Sequence, residues 1–176
     1  MMLQTQRLTL RPFSPQDEDA FIKGIEDREL RCMYGFRAEL SGDTACRIFA
    51  QFSDLSAALS LVHKDDGAMV GFLLDVPSEL PEPMLRTLPE GGRTLAFATF
   101  RPYQRQGSMQ EAIQTVMDQH ISAKDAAYLH GGHFPFNIPS QRLLVGLGFT
   151  LYGRHIVGTH TVIDEIYMLK GKRGIR

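Results

Sequence analysis

The sequence predicts a mixed α/β fold, on three observations. Short apolar runs, alternating or continuous and bounded by Gly or Pro, recur at 8–13, 57–76, 94–100, 128–130, 149–157 and 162–169, as strands do. From Met109 onward, Met109, Ala112, Ile113, Val116, Met117, His120 and Ile121 return at steps of three and four, which makes a firm amphipathic helix. The composition, 43% hydrophobic and 22% charged over 176 residues, is that of an ordinary globular chain. It excludes wholesale disorder and makes residues 1–176 one expected domain.

Each element has its own reason. Leu8 and Leu10 alternate with polar positions until Pro12 and Pro15 close a first strand. Ser14-Pro15-Gln16-Asp17 reads as a helix start, with Ser14 as N-cap, Pro15 in the first helical position, and Asp17 and Glu18 at the positive end of the dipole. Ala20, Phe21 and Ile25 form its apolar face. From Asp27 to Phe52 the pattern predicts a second helical stretch broken at Gly35 and Gly42. Leu59, Leu61 and His63 alternate, Asp65-Asp66-Gly67 turns, and Met69 to Val76 returns, which is a hairpin. Pro77, Pro81, Pro83 and Pro89, with Glu79, Glu82 and Glu90, make the stretch up to Gly92 too proline-rich for an element, so a long exposed loop is expected. Thr94 to Phe100 is apolar on both faces and belongs in the middle of a sheet. Tyr128 to His130 forms a short strand ending at Gly131-Gly132. Asn137-Ile138-Pro139-Ser140 opens a helix that buries Leu143, Leu144 and Leu147 and ends at Gly146 and Gly148. The last two strands join through Gly158-Thr159-His160.

With 19 Lys and Arg against 20 Asp and Glu, the net charge of −1 argues against a surface built to coat nucleic acid and confines any anion site to a local pocket. Cys32 and Cys46 form no CxxC pair and stand beside no spaced histidines, which argues against zinc and for a reduced chain with both thiols buried as small apolar residues. The start lacks the basic-then-apolar order of a secretory signal, and runs such as Ala68 to Leu74 fall far short of the roughly 20 residues a membrane helix needs. A cytoplasmic protein with no membrane and no nucleic-acid partner is expected. The cationic tail of Lys170, Lys172, Arg173 and Arg176 is read as solvated.

The informative unit is a strand, then Gln104-Arg105-Gln106-Gly107-Ser108-Met109, then the amphipathic helix. The first turn of a helix presents unpaired N–H groups and the positive end of the dipole, so a tight turn feeding it makes an anion cradle. Gly107 lets the backbone approach a phosphate, and Arg105 offers a charge-assisted contact. No Gly-Lys-Ser/Thr follows and no GxGxxG is present, so this is neither a P-loop nor a dinucleotide fingerprint. Taken alone, the unit equally describes a helix start without a ligand.

The order of elements resembles the GNAT superfamily of N-acetyltransferases, and most closely its RimJ/RimL-like branch, across nearly the whole chain. Thr5, Arg7, Leu8, Leu10, Arg11 and Pro12 match the branch's opening Thr-x-Arg-Leu-x-Leu-Arg-Pro. Gln104, Gly107, Glu111 and Ala112 match its Q/R-x-x-G-x-G/A motif and the Glu-Ala that follows, while Met109 departs from the final Gly/Ala. Asn137, Ser140, Leu147, Gly148 and Phe149 match Asn-x-x-Ser followed by Leu-Gly-Phe. The resemblance implies a central mixed, mostly antiparallel sheet flanked by helices, and acetyl-CoA as donor without a metal. It places the pyrophosphate on the amides around Arg105, Gln106, Gly107, Ser108 and Met109. It sets the pantetheine along the backbone of Thr99, Phe100 and Arg101, where two strands splay, and turns Asn137 toward the pantetheine arm.

Amide formation needs an unprotonated amine, a polarised thioester carbonyl and a proton for the departing thiolate. The resemblance puts Ser140 where a hydroxyl serves the sulfur; the tyrosine of other branches falls near Leu144, which cannot. Ser140 reads equally as a helix-start hydroxyl bonding backbone amides. Relatives carry a glutamate at the start of the buried strand, but here Arg93-Thr94-Leu95-Ala96 holds no carboxylate. Glu90, His130, His63 or a water chain are the candidates for the base, each histidine reading also as a packed or solvent-facing residue. Glu111 is read as a surface residue favouring the helix dipole. The resemblance leads to acetyl transfer from coenzyme A to a primary amine, a protein N-terminus or a small amine, by direct attack. Two other readings stand beside it: a non-catalytic acyl-CoA-binding module, and a domain for a different phosphate compound. The chain is expected as a monomer or homodimer.

Overall fold

The structure, a computed structural model, describes residues 2–36 and 39–169; the cationic tail lies outside the described residues. In chain order the elements are β1 (Leu3–Gln4), β2 (Leu8–Pro12), α1 (Glu18–Ile25), α2 (Arg28–Tyr34), α3 (Gly42–Asp54), β3 (Ala58–His63), β4 (Met69–Pro77), α4 (Glu82–Leu85), β5 (Arg93–Thr99), α5 (Ser108–Ala123), β6 (Tyr128–His133), α6 (Ile138–Gly146), β7 (Thr150–Val157) and β8 (His160–Met168). The sheet order is β1-β2-β3-β4-β5-β6-β8-β7. The recorded pairings are antiparallel apart from β5 with β6, which is parallel. The expected mixed, mostly antiparallel sheet is therefore present. The chain forms two compact units, Met1–Leu74 with Phe97–Thr115, and Asp75–Ala96 with the chain from Val116 onward.

In the first unit, β2, β3 and β4 align Leu10 with Leu61 and Leu61 with Gly71. Apolar side chains on α1 and α3 return at helical spacing, and Phe13, Phe21, Phe49, Phe52 and Phe72 meet in a shared cluster. Their ring centroids lie 5.2 to 6.0 Å apart in mostly edge-on or tilted contacts, the geometry aromatic quadrupoles favour. Ser14 caps the helix start with Pro15 at its first position and Asp17 in its first turn, as expected. Asp17 is buried, accepts the Ser14 N–H at 2.8 Å, and takes both ends of the Arg11 guanidinium at 2.7 and 2.9 Å, because a buried carboxylate must be paired. Gly35, at φ +92, ends α2 as expected, whereas Gly42 opens α3 rather than breaking a helix, with Ser41 as its N-cap. Cys32 and Cys46, expected inside, are both exposed.

In the second unit, β6 pairs with β8 through Gly131↔Glu165 and Gly132↔Asp164, so it runs on to His133 instead of stopping at the two glycines. The stretch after Pro77 is not an open loop throughout. Leu80, Met84, Leu85 and Leu88 return at three- and four-residue steps around the single turn of α4 and pack against Ala127, Tyr128 and Ile166. Tyr152 donates to the Met84 carbonyl at 2.7 Å and Tyr128 to Ser78 Oγ at 2.9 Å. His120 lies on the buried face of the helix, as its spacing predicts, but in a charged setting. Its Nε2 meets Asp75 at 3.0 Å and its Nδ1 meets Asp125 at 2.6 Å, while Arg93 Nε donates to Asp75 at 2.8 Å. The Asp75 hydrogen bond is the largest influence on His120 and raises its pKa against the pull of burial. Burial, the largest influence on Asp75, pushes that carboxyl up, but the bonds from His120 and Arg93 outweigh it and hold its pKa below the usual carboxylate value.

Candidate active site

In the first unit, the strand end and the start of α5 are joined by a turn whose backbone is unusual. Arg105 has φ +61 and Gly107 φ +79, so two left-handed residues curl the chain between Gln104 and Ser108. Alternating backbone of this kind gathers successive N–H groups into a concave anion-binding nest, which here runs into the unpaired amides of the helix's first turn. Gly107 is exposed, and the only heavy atom within 4 Å of a side chain built there would be Arg7 Nη2, at 3.3 Å. Exposed side chains pin the turn: Gln104 Nε2 donates to the Thr99 carbonyl and Gln106 Nε2 to the Pro102 carbonyl, each at 3.1 Å.

Arg7 and Glu111 brace the same turn. The Arg7 backbone N–H and Nε donate to the two Glu111 oxygens at 2.8 Å each, and Arg7 Nη1 donates to the Gln106 carbonyl at 2.7 Å. Burial is the largest influence on Glu111 and pushes its pKa up, but bonds from Thr5 and Arg7 outweigh it and keep the pKa lowered. Glu111 is therefore no mere dipole-favouring surface residue; it fastens the first strand to the helix start. Of the other residues expected here, Ser108 and Met109 are buried. Phe100 turns its ring into the core and its N–H to the Val70 carbonyl at 2.9 Å. Arg101 is exposed beside Asp27, at 3.4 Å. His63 stands 3.4 Å from Asp66 at the β3–β4 turn.

In the second unit, Asn137 caps α6: its Oδ1 accepts the Ser140 N–H at 3.2 Å. The capping is thus done by Asn137, and Ser140 Oγ, partly buried, has no hydrogen-bond partner among the described residues. Leu144 is fully buried beneath Gly131. Glu90 is exposed. His130 is buried with both ring nitrogens engaged, Nδ1 with Thr94 Oγ1 at 2.9 Å and Nε2 with Asp164 Oδ1 at 3.0 Å.

Asp164 and His155 were not singled out by the sequence. Asp164 is fully buried, and its second oxygen meets His155 Nδ1 at 2.8 Å. Burial, the largest influence on Asp164, raises its pKa, but the bonds to His130 and His155 outweigh it and leave the pKa lowered, so the carboxylate is held ionised between two imidazoles. A few residues away, His133 Nδ1 meets the Phe134 carbonyl at 3.0 Å and Nε2 meets Glu165 Oε1 at 3.2 Å, while the buried Glu165 Oε2 has no partner. The available signal was the pairing of a His-Gly-Gly-His run with an Asp-Glu step on adjacent strands.

Comparison with known proteins bears on this geometry. A family model described as an acetyltransferase (GNAT) domain matches residues 7–150. No curated protein sequence matches the chain. Among solved structures the chain is similar to a GNAT-family acetyltransferase from Bacillus anthracis, at 13% identity and a TM-score of 0.81, over 97% of this chain and 100% of that one. It is similar at 15% identity and a TM-score of 0.72 to an acetyl transferase from Salmonella typhimurium that modifies the N-terminal serine of a 50S ribosomal subunit protein, over 97% and 100% of the two chains. A ribosomal-protein-S5-alanine acetyltransferase from Vibrio fischeri is similar at 14% identity and a TM-score of 0.72, over 99% and 100%.

Proposed function

Because the chain belongs to the GNAT acetyltransferase family, we propose that it moves an acetyl group from acetyl-CoA to a primary amine, and that the amine is the N-terminus of a protein beginning with a small residue. The observation that carries this reading is the turn at Gln104 to Met109, where left-handed Arg105 and Gly107 form a backbone nest of the kind that binds anions such as a pyrophosphate. A Cβ at Gly107 would meet Arg7 Nη2 at 3.3 Å, so glycine lets the Arg7 guanidinium stand at the rim of the nest. Bound there, acetyl-CoA supplies the acetyl group as a thioester.

The chain's own residues then have separate tasks. The amides of Arg105, Gln106, Gly107, Ser108 and Met109 hold phosphate oxygens, and Arg7 with Glu111 keeps the turn in the shape that lets them. The backbone from Thr99 to Arg101 lies along the pantetheine. The unpartnered Ser140 hydroxyl hands a proton to the departing sulfur, a task open to it because Asn137 already caps the helix. The N-terminal acceptor is supported by the fold shared with the Salmonella and Vibrio proteins, which act on ribosomal proteins. A small-molecule amine is the alternative within the same chemistry.

The test is to incubate the protein with acetyl-CoA and a panel of N-terminal peptides and small amines and to follow free thiol. Turnover with peptides starting in Ser or Ala, above that with small amines, is expected. Coenzyme A binding without turnover on any acceptor would favour a binding module, the reading that the missing carboxylate at the start of β5 supports; absence of binding would remove the reading altogether.

A further inference from the structure

We propose that His155, fixed by Asp164, is the base that takes the proton from the acceptor amine. This rests on the acetyl-transfer reading and supplies the group it lacks, since the start of β5 reads Arg93-Thr94-Leu95-Ala96 without a carboxylate.

The hydrogen-bond directions can be worked out along the chain of contacts. Thr94 Oγ1 accepts the Glu79 N–H at 3.0 Å and meets His130 Nδ1 at 2.9 Å. Asp164, held ionised, can only accept, so His130 carries a hydrogen on Nε2 and gives it to Asp164 Oδ1. Asp164, an acceptor on both oxygens, also takes the Nδ1 hydrogen of His155. An imidazole that donates from Nδ1 to a buried carboxylate keeps its lone pair on Nε2 and is stabilised when that nitrogen gains a proton, which is how a carboxylate prepares a histidine for proton transfer. Nε2 of His155 has no partner among the described residues, and its side chain is 18% exposed where Asp164 is wholly buried. His130 cannot serve in the same way, because both of its nitrogens are occupied within the buried network.

The His155 imidazole is also partly exposed to solvent. Register places Gly132 opposite Asp164 on one side and Gly153 opposite it on the other, so the carboxylate is flanked by two residues without side chains on that face of the ladder. Gly132 is exposed, and a Cβ there would meet Val162 Cγ1 at 3.0 Å and the His130 ring at 3.7 Å. The charged group recorded against His155 is Asp164 on β8, whose other oxygen meets His130 of β6. Val162 is its register partner, Met84 of α4 covers Gly153, and Glu82 and Arg86 of that segment pair with each other in solvent. The proton balance closes. One proton passes from the ammonium to His155 Nε2; the freed nitrogen forms the C–N bond as the C–S bond breaks. The nitrogen's second proton goes to the sulfur through Ser140, and His155 releases the first to water.

The experiment compares kcat/KM for wild type and His155→Gln from pH 6 to 9, with coenzyme A affinity measured by titration calorimetry. The variant is expected to lose about 100-fold or more at neutral pH, the usual scale of general-base catalysis. Its remaining rate should climb about tenfold per pH unit, since only amine already deprotonated reacts, whereas wild type levels off; coenzyme A affinity should stay within about twofold. Equal rates, or a uniform loss with an unchanged pH profile, would overturn the base while wild-type turnover left acetyl transfer standing. No turnover by wild type would overturn both. If the variant does not fold, wild type decides: diethyl pyrocarbonate should modify His155, with activity falling in proportion and an acceptor peptide protecting. Full activity after His155 is modified would refute the assignment.

Discussion

Replacing His120 by Leu removes the central donor of the Asp75 cluster, and the structure sets the size and pH dependence of the loss. At slightly acidic pH the lost contact is a charge-assisted hydrogen bond between two buried side chains at 3.0 Å, worth about 1.5–3 kcal/mol. The contact with Asp125, more than half exposed, adds no more than about 1 kcal/mol. Leu buries more apolar surface and offsets part of this, while Arg93 still neutralises Asp75, so a net loss of about 2 kcal/mol is expected, or roughly 4–8 °C in Tm for a chain of this size. His120 has a raised folded-state pKa, so its charge contributes fully below the unfolded value of about 6.5 and is lost as pH rises through the folded value. Above that, only a neutral hydrogen bond of about 0.5–1.5 kcal/mol remains to be lost. Asp75 acts with the opposite sign: its lowered pKa gives stability above about pH 4 that disappears as pH falls through the folded value. Urea unfolding at pH 6 and pH 9, followed by circular dichroism because the chain has no Trp, reads the difference. A loss equal at both pH values, or larger at pH 9, would refute the charged role of His120.

Further outcomes follow from single contacts. Arg7→Ala should weaken coenzyme A binding about 5- to 30-fold, since a partly exposed pair bracing the turn is worth roughly 1–2 kcal/mol; unchanged affinity by calorimetry would show that the turn holds its shape without Arg7. Ser140→Ala should cut thiol release by roughly 10- to 100-fold with coenzyme A affinity nearly unchanged, and full turnover would remove Ser140 as the acid. Gly71→Ala should cost at least about 2 kcal/mol, because its Cβ would stand 2.2 Å from the Ala98 carbonyl oxygen, backbone that cannot swing aside. An unshifted Tm in that variant would deny the close approach.

What the sequence disclosed divides along the range of the interaction. The hairpin at Asp65-Asp66-Gly67, the long helix and the glycine turn before it rest on local spacing and local backbone need, and all stand in the fold. The stretch after Pro77 was misread because four prolines outweighed the three- and four-residue recurrence of Leu80, Met84, Leu85 and Leu88, whose worth depends on Tyr128 and Ile166, far along the chain. Glu111 was misread for the same cause: nothing near it in sequence shows that Arg7 will bind it across 104 residues. The exposed cysteines show the limit of composition, since a thiol's preference for the interior does not say which helix face will carry it.

The polar centre of the second unit follows from parity along two strands. Asp164 and Glu165 are adjacent on β8, so their side chains must leave the sheet on opposite faces. His130 and His133 are an odd number of residues apart on β6, so they too face opposite ways, and the antiparallel register sets each diagonally across from one acid. Directly opposite the acids stand Gly132 and Gly131, which carry no side chain to compete for the space. On one face that space admits Val162 and the His130 ring; on the other, a Cβ at Gly131 would fall 2.7 Å from Leu144 of α6. Two buried carboxylates in neighbouring positions would ordinarily be intolerable. The ladder resolves this by giving each its own imidazole on its own face. The two faces are nevertheless unequal. Asp164 meets two imidazoles that leave it ionised, whereas Glu165 meets one, whose other nitrogen already faces a carbonyl. Among the described residues, only the Asp164 face ends in an imidazole nitrogen without a partner, and that asymmetry selects His155 over His133 as the group able to receive a proton from outside.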